Sequence, residues 1–322
     1  MGRTYYVFSS GRLKREQNTL SLETEDGRRM IPIEDVEQLY LFGETDFNSR
    51  LLDFLAQKEV TVHIFNHFGY YVGSFIPRES QLSGFLIVKQ VEHYLNLGKR
   101  LILARCLVEG AIHNIRRNLE KRNLDETCTG LDEYRSSLKE VKTIEEVMSI
   151  EAHARKLYYS VWEGITGWEF NERSKQPPGN ALNALISFGN AMTYTSVLRE
   201  IYRTALNPTI SYLHEPSEKR YSLALDIAEI FKPVLVDRLI FRIINLGKLT
   251  TEHFNQELNA TYLSDEGRKI FVREFEEQAE STVLHRALGR KVKYRSLIRL
   301  DLYKLIKHLI GEETFTPTKV WW

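Results

Sequence analysis

Residues 77–84, PRESQLSG, are where this chain changes character. Proline, glycine and two serines break any regular period, as such clusters do between folded units. Upstream, short runs rich in β-branched and aromatic residues alternate with turn signals. They are TYYVFSS (4–10), NTLSLETE (18–25), RRMIPI (28–33), EQLYLFGE (37–44), VTVHIFN (60–66) and YYVGSFIP (70–77). Such runs read as strands, and Asp26-Gly27 suits the hairpin turn between two of them. One helix interrupts, from Ser49 to Lys58, with Leu51, Leu52 and Leu55 on one face. Downstream the period becomes helical. Leu97, Leu101, Ala104, Val108, Ala111 and Ile115 stripe a helix over 92–123, and Val147, Ile150, Ala154, Leu157 and Val161 stripe another over 143–164. A third spans 181–206, with Asn180 as its N-cap and Pro208 just past its end. Pro233 opens a fourth, VLVDRLIFRIINLG, which Gly247 closes. The expected fold is therefore a two-domain α+β protein, a small strand-rich N-terminal domain (1–78) followed, after a linker (79–90), by a larger all-helical C-terminal domain (91–322).

Composition sets outer bounds. With 322 residues, 43% of them hydrophobic and 27% charged, the chain can bury two cores and is not of the disordered class. Cys106 and Cys128 form no metal-type cluster or disulfide framework, which suits a reducing compartment. The start, MGRTYYVFSSGRLKRE, lacks the apolar stretch of a signal peptide, and no run of eighteen apolar residues occurs. A cytoplasmic protein with no membrane partner is expected. The net charge is only +1, and residues 1–80 hold 9 Lys and Arg against 12 Asp and Glu. Any nucleic-acid contact must come from local patches in the later part of the chain.

The chemistry concentrates in residues 207–233, NPTISYLHEPSEKRYSLALDIAEIFKP. A turn-rich segment with Pro208 and Pro216 carries His214, and the apolar run from Leu223 to Phe231 is broken only by Asp226 and Glu229. Spaced i,i+3, the two acids share one side of a helix. Buried carboxylates are costly unless paired or bound to a cation, and two together repel. Two resolutions are open. A metal ion could take both, with His214 as a further ligand, or they could pair with Arg220, Lys232 or Arg238.

The run H-E-P-S-E-K-R-Y-S-L-A-L-D-I-A-E-I-F-K-P resembles the signature of the CRISPR-associated adaptation nuclease/integrase family ("Cas-one"), in which a histidine, SLxxD, an acid three residues later and [FY][RK]P follow in order. Glu229 stands where other members have Asp, and Ser211 where many have Gly ahead of the histidine. E-A-H-A-R-K-L-Y-Y (151–159) and the Pro177, Pro178, Asn180, Asn183 segment also resemble the family. The resemblance implies a divalent metal, Mn²⁺ or Mg²⁺, held by Glu151, His214 and Glu229, with Asp226 essential close by as an aid to the nucleophile or holder of a second cation. By itself Glu151 would read as an i,i+4 surface partner of Arg155, and His153 as incidental. The resemblance also implies DNA endonuclease and integrase activity in spacer acquisition, joining 3′-hydroxyl ends into repeat DNA by transesterification. It further implies a homodimer formed through the strand-rich domain, and a smaller CRISPR-associated partner, "Cas-two".

Two basic tracts are candidate DNA contacts. Arg116 and Arg117, with Lys121 and Arg122, close the first long helix. Residues 285–308, HRALGRKVKYRSLIRLDLYKLIKH, hold eight Lys or Arg and one acid, and read as a basic helical face with Arg290, Lys291, Lys293 and Arg295. Each tract alone reads as a solvated helix face. The tail, TFTPTKVWW, reads as mobile, its tryptophans open to a partner. Two other functional classes compete: a non-enzymatic helical DNA-binding scaffold with salt-bridged carboxylates, and a metal-dependent hydrolase of small phosphorylated molecules. No HExxH occurs, His63 and His67 sit on a strand and its turn, and no Ser-His-Asp set has a nucleophile turn.

Overall fold

A computed structural model describes residues 3–77, 81–218, 221–258 and 260–321. It divides into two units, Met1–Ser80 and Gln81–Trp322.

In the first unit β1 (Arg3–Val7), β2 (Gly11–Glu16), β3 (Thr19–Thr24), β4 (Gly27–Pro32), β5 (Val36–Leu41) and β6 (Thr45–Asp46) precede α1 (Ser49–Gln57), β7 (Thr61–Phe65) and β8 (Tyr71–Phe75). They build two four-stranded sheets, ordered β1-β5-β7-β8 and β4-β3-β2-β6. Leu13, Leu20 and Leu22 from one sheet, Leu39, Leu41 and Val62 from the other, and Leu51, Phe54 and Leu55 from α1 share one core. Asn48 caps α1 by accepting from the Leu51 amide at 3.1 Å. The Asp26-Gly27 turn is present, with Gly27 at φ 132°, outside the reach of most side chains. Sequence reading missed β2, GRLKRE. Only Leu13 of that strand is buried, and charged pairs such as Lys14–Glu23 at 2.6 Å tie its exposed face to β3.

The second unit begins with α2 (Gly84–Leu95), α3 (Leu97–Leu119), α4 (Asp125–Ser137), α5 (Ile144–Tyr159) and α6 (Trp162–Thr166). Then come α7 (Ala181–Tyr202), α8 (Ser222–Lys232), a π turn (Pro233–Asp237) and α9 (Arg238–Asn245). The remainder is β9 (Phe254–Glu257), β10 (Ala260–Leu263), α10 (Asp265–Glu280), β11 (Thr282–His285), β12 (Arg290–Lys293) and α11 (Tyr294–Leu309). Helix α3 lies at the heart of this unit, burying Leu103, Leu107, Val108, Ile112, Ile115 and Leu119. No described helix is long and apolar enough to cross a membrane.

Four expectations change. The helix expected over 92–123 is broken at Asn96, whose extended backbone ends α2 and whose side chain caps α3 by accepting from Lys99 at 3.0 Å. Pro233 does not open a separate helix. It starts the π turn that carries α8 on into α9, and the Arg238 amide reaches back to its carbonyl. The unit is mostly rather than entirely helical, because β9–β10 and β11–β12 are antiparallel hairpins. The tail is docked. Phe315 and Val320 are buried, Thr318 N–H donates to Asp301 at 2.7 Å, and Val320 N–H donates to Asn114 at 2.9 Å. Those polar partners lie far away in sequence, so nothing in TFTPTKVWW announces them. Trp322 lies outside the described residues.

Candidate active site

The loop ahead of α8 is built around the Asp226 carboxylate, which is fully buried. One oxygen accepts the Tyr212 and Leu213 amides at 2.6 and 2.9 Å, and the other accepts the His214 amide at 3.0 Å. The second oxygen also meets His214 Nδ1 at 2.8 Å. Four such contacts offset the burial of this carboxylate without a cation. Its contact with Nδ1 also fixes the ring, leaving Nε2 as the open nitrogen. Asp226 is therefore a support for the histidine. Both its oxygens accept from this loop.

Other contacts hold the same loop. Arg100 donates to the Tyr212 carbonyl at 2.9 Å and to Glu215 at 2.6 Å. Buried Ser211 donates to the His214 carbonyl at 2.6 Å. Tyr194 OH accepts the Tyr221 amide at 3.1 Å, and Ser222 donates to the Thr209 carbonyl at 2.6 Å. Burial alone would lower the His214 pKa, but the Asp226 hydrogen bond and the charges of Asp226 and Glu229 raise it above the ordinary imidazole value.

The second half of the site is an ionic cluster spanning α5, α8 and the π turn. Arg155 Nε donates to Glu151 Oε1 at 3.2 Å, and its Nη2 donates to Glu229 Oε2 at 2.8 Å. Nη1 lies 3.7 Å from Asp237 Oδ2. Lys232 takes the other Glu229 oxygen. Burial would raise the Glu229 pKa, yet Lys232 and Arg155 hold it down at about 2. Burial and the Glu229 charge push Glu151 up. Burial also pushes Asp237 up to about 7, against the pull of Arg155 and Lys232.

The structure thus brings Glu151 and Glu229 together and sets His214 close enough to Glu229 that each shifts the other's titration. Of the two resolutions left open by the sequence, it shows the ion-pair one at Glu229. Lys232 is on Glu229 as the ion-pair reading expected, and Arg220 lies outside the described residues. Among the described residues no three His, Cys, Asp or Glu side chains are gathered at coordination spacing, and Arg155 and Lys232 pair with Glu229 instead. The donor set still suits Mn²⁺ or Mg²⁺: two mutually repelling carboxylates beside one open imidazole nitrogen. Sequence reading overlooked Arg155 as the hub and Asp237 as its third acid. Asp237 carried a visible signal, being the lone acid in the apolar run VLVDRLIF.

The candidate DNA contacts divide. Arg116 pairs with Asp132 at 2.6 Å and with Glu120, and Arg117 pairs with Glu120. Lys293 is 2.5 Å from Glu280, and Arg295 is 2.5 Å from Glu276. These four are already neutralised locally, whereas Arg290 and Lys291 are exposed and form no ion pair with a described residue. The stretch 285–293 is not helical, because β11 and β12 form a hairpin there and α11 starts at Tyr294.

Comparison with known proteins agrees with this architecture. The family described as "CRISPR associated protein Cas1" matches residues 5–277. The chain is 68% identical over 320 residues to "CRISPR-associated endonuclease Cas1 2" of Moorella thermoacetica, covering 99% of this chain and 100% of the relative. A solved Cas1 protein from Thermotoga maritima superposes with a TM-score of 0.90 at 44% identity, covering 98% of this chain and 100% of that one. A structure titled "Casposase bound to integration product" shares the fold, with a TM-score of 0.87 at 18% identity, covering 100% of this chain and 95% of the other. A family match over most of the length, and relatives alike from end to end, place this chain in the CRISPR-associated Cas1 family.

Proposed function

We propose that the chain is a cytoplasmic, metal-dependent DNA endonuclease and integrase of CRISPR spacer acquisition. It cleaves DNA and joins 3′-hydroxyl DNA ends into repeat DNA by transesterification. The observation that carries this reading is the part-buried Asp226–His214 contact, which leaves His214 Nε2 open in a site where the Glu229 charge acts on His214 and Arg155 joins Glu229 to Glu151. Glu151, Glu229 and Nε2 would hold Mn²⁺ or Mg²⁺. When bound, the metal supplies Lewis-acid polarisation of the scissile phosphate and stabilises the attacking and leaving oxygens.

The chain's own residues do the rest. Asp226 sets the tautomer and direction of His214, and Arg155 spans both glutamates so that neither rotates away. Lys232 pairs with Glu229, and its ammonium can donate to a phosphate oxygen in place of that carboxylate. In joining, the incoming 3′-hydroxyl oxygen bonds to phosphorus and gives up its proton. The P–O bond to the repeat strand breaks, and the departing oxygen takes up a proton to leave as that strand's free hydroxyl. In hydrolysis water takes the place of the incoming 3′-hydroxyl. The family resemblance supports a homodimer formed through the strand-rich unit and a smaller Cas-two partner.

A scaffold reading is favoured by one observation: Arg155 and Lys232 satisfy the carboxylates with no metal. The deciding assay measures nicking and strand transfer on linear and branched DNA with Mn²⁺, Mg²⁺ or EDTA, for wild type and His214→Ala. Activity that needs metal and is lost in the variant, with DNA binding retained, is expected. Binding without turnover under every metal, with the partner protein added, favours the scaffold.

A further inference from the structure

The hairpin β11–β12 takes no part in the site above, and its surface is unusual. Residues 282–295, TVLHRALGRKVKYR, contain no acid. The two strands pair in register, Thr282 with Lys293 through His285 with Arg290, and the tip turns at Gly289, with φ 62°. Lys293 and Arg295 anchor the base of the hairpin to Glu280 and Glu276 on α10. Val292 is buried beneath it. Arg286 lies over the Trp321 ring at 4.9 Å, which ties the tip to the docked tail. The outer end therefore presents Arg290 and Lys291 as cations without a carboxylate, beside Leu284 and Leu288, which are 54% and 43% exposed.

Leu284 and Leu288 add an apolar component to this acid-free basic ribbon. A basic, rigidly based two-stranded ribbon matches the width of one partner in particular, since the major groove of duplex DNA admits a two-stranded β-ribbon. We infer that this hairpin is a duplex-DNA contact that enters the major groove, with Arg290 and Lys291 on the flanking phosphates and Leu288 against base edges. The inference rests on the DNA reading above and adds to it a specific holding element outside the metal site. Phosphate contacts fix position, and the apolar tip adds contacts that release no counterions.

The test is fluorescence anisotropy of the full chain on a labelled duplex across a salt titration. It uses wild type, the double variant Arg290→Ala/Lys291→Ala, and Leu288→Ser, with thermal denaturation to check folding. The double variant is expected to bind on the order of 50-fold more weakly near 0.1 M salt and to lose about 2 from the slope of log K against log salt. Leu288→Ser should weaken binding with the slope unchanged. Methyl green, which occupies the major groove, should displace the protein, and netropsin, which occupies the minor groove, should not. An unchanged slope in a folded double variant overturns the hairpin contact, and displacement by netropsin alone overturns the groove assignment. If the wild type binds no duplex at all, the DNA reading itself falls.

Discussion

Replacing Asp226 by Asn keeps size and shape but changes what the group can accept. In the wild type each oxygen serves two donors, Tyr212 and Leu213 on one, the His214 amide and ring on the other. Asn retains one oxygen. With its oxygen on Tyr212 and Leu213, its NH₂ meets the His214 amide donor to donor and finds Nδ1 protonated in the wild-type tautomer. Two charge-assisted hydrogen bonds therefore vanish, the one to Nδ1 being replaced only if the ring changes tautomer. A hydrogen bond to a charged group contributes about 1.5–3 kcal/mol, so the local loss is roughly 3–6 kcal/mol. That is comparable with the free energy holding a loop to its domain, so the segment should open while the helical core stays folded. Native-state hydrogen exchange reads this directly. The Tyr212, Leu213 and His214 amides should exchange roughly 100- to 10,000-fold faster in Asp226→Asn, since about 1.4 kcal/mol corresponds to a decade. The α3 amides of Leu107 and Ile112 should change far less. If Tyr212–His214 keep wild-type protection, Asp226 does not hold the loop, and its role has to be sought at the metal.

Arg155→Met leaves Glu151 and Glu229 facing each other without their shared cation, a loss of about 3–5 kcal/mol for breaking a buried pair. The Tm deficit should be largest in EDTA and shrink in saturating Mn²⁺; equal deficits in both would argue against metal binding by this pair. The Arg100 hydrogen bond holds the Glu215 carboxyl below its ordinary pKa against a small burial penalty. A depressed folded-state pKa contributes stability above the unfolded-state value of about 4.3, lost as pH falls through the folded value. Because Glu215 is 61% exposed, solvent screening limits the effect to about 1 kcal/mol or less. Wild type and Glu215→Gln should therefore differ slightly at pH 7 and converge in acid, and a gap that widens in acid contradicts the assignment. In Gly110→Val, a Cβ would fall 2.7 Å from the Pro317 ring. The tail should lift from α3, exposing Phe315 and Val320 to limited proteolysis at neutral pH.

What was legible in the sequence was whatever depends on local period. The change at 77–84 shows because alternation stops and helical spacing begins. Strand β2 did not show, since GRLKRE buries a single leucine and spends its charges on neighbouring strands. The break at Asn96 was hidden because apolar spacing continues through Leu95 and Leu97, both exposed. The basic hairpin was mistaken for helix because RKVK alternates over only four residues, too few to outweigh the leucine-rich helix that follows. At the site, His214 and Glu229 stood out through their motif. The same motif could not tell a carboxylate that binds a cation from one that caps a loop, because that depends on which backbone amides come within reach of Asp226. Arg155 looked like half of an i,i+4 pair, and only the tertiary fold makes it the bridge to Glu229 and Asp237.

The π turn at Pro233–Asp237 decides that bridge through helix phase. Along an unbroken α-helix each residue advances about 100°, so a side chain eight positions beyond Glu229 would be turned about 80° away from it. A π turn accommodates one residue more than an α turn, which makes the offset equivalent to seven steps, about 20° short of two full revolutions. Asp237 is thereby rotated into line with Glu229, and a single guanidinium can address both. Removing one residue between Lys232 and Arg238 would restore a regular helix and swing Asp237 out of line, so this insertion sets the angular position of the third acid.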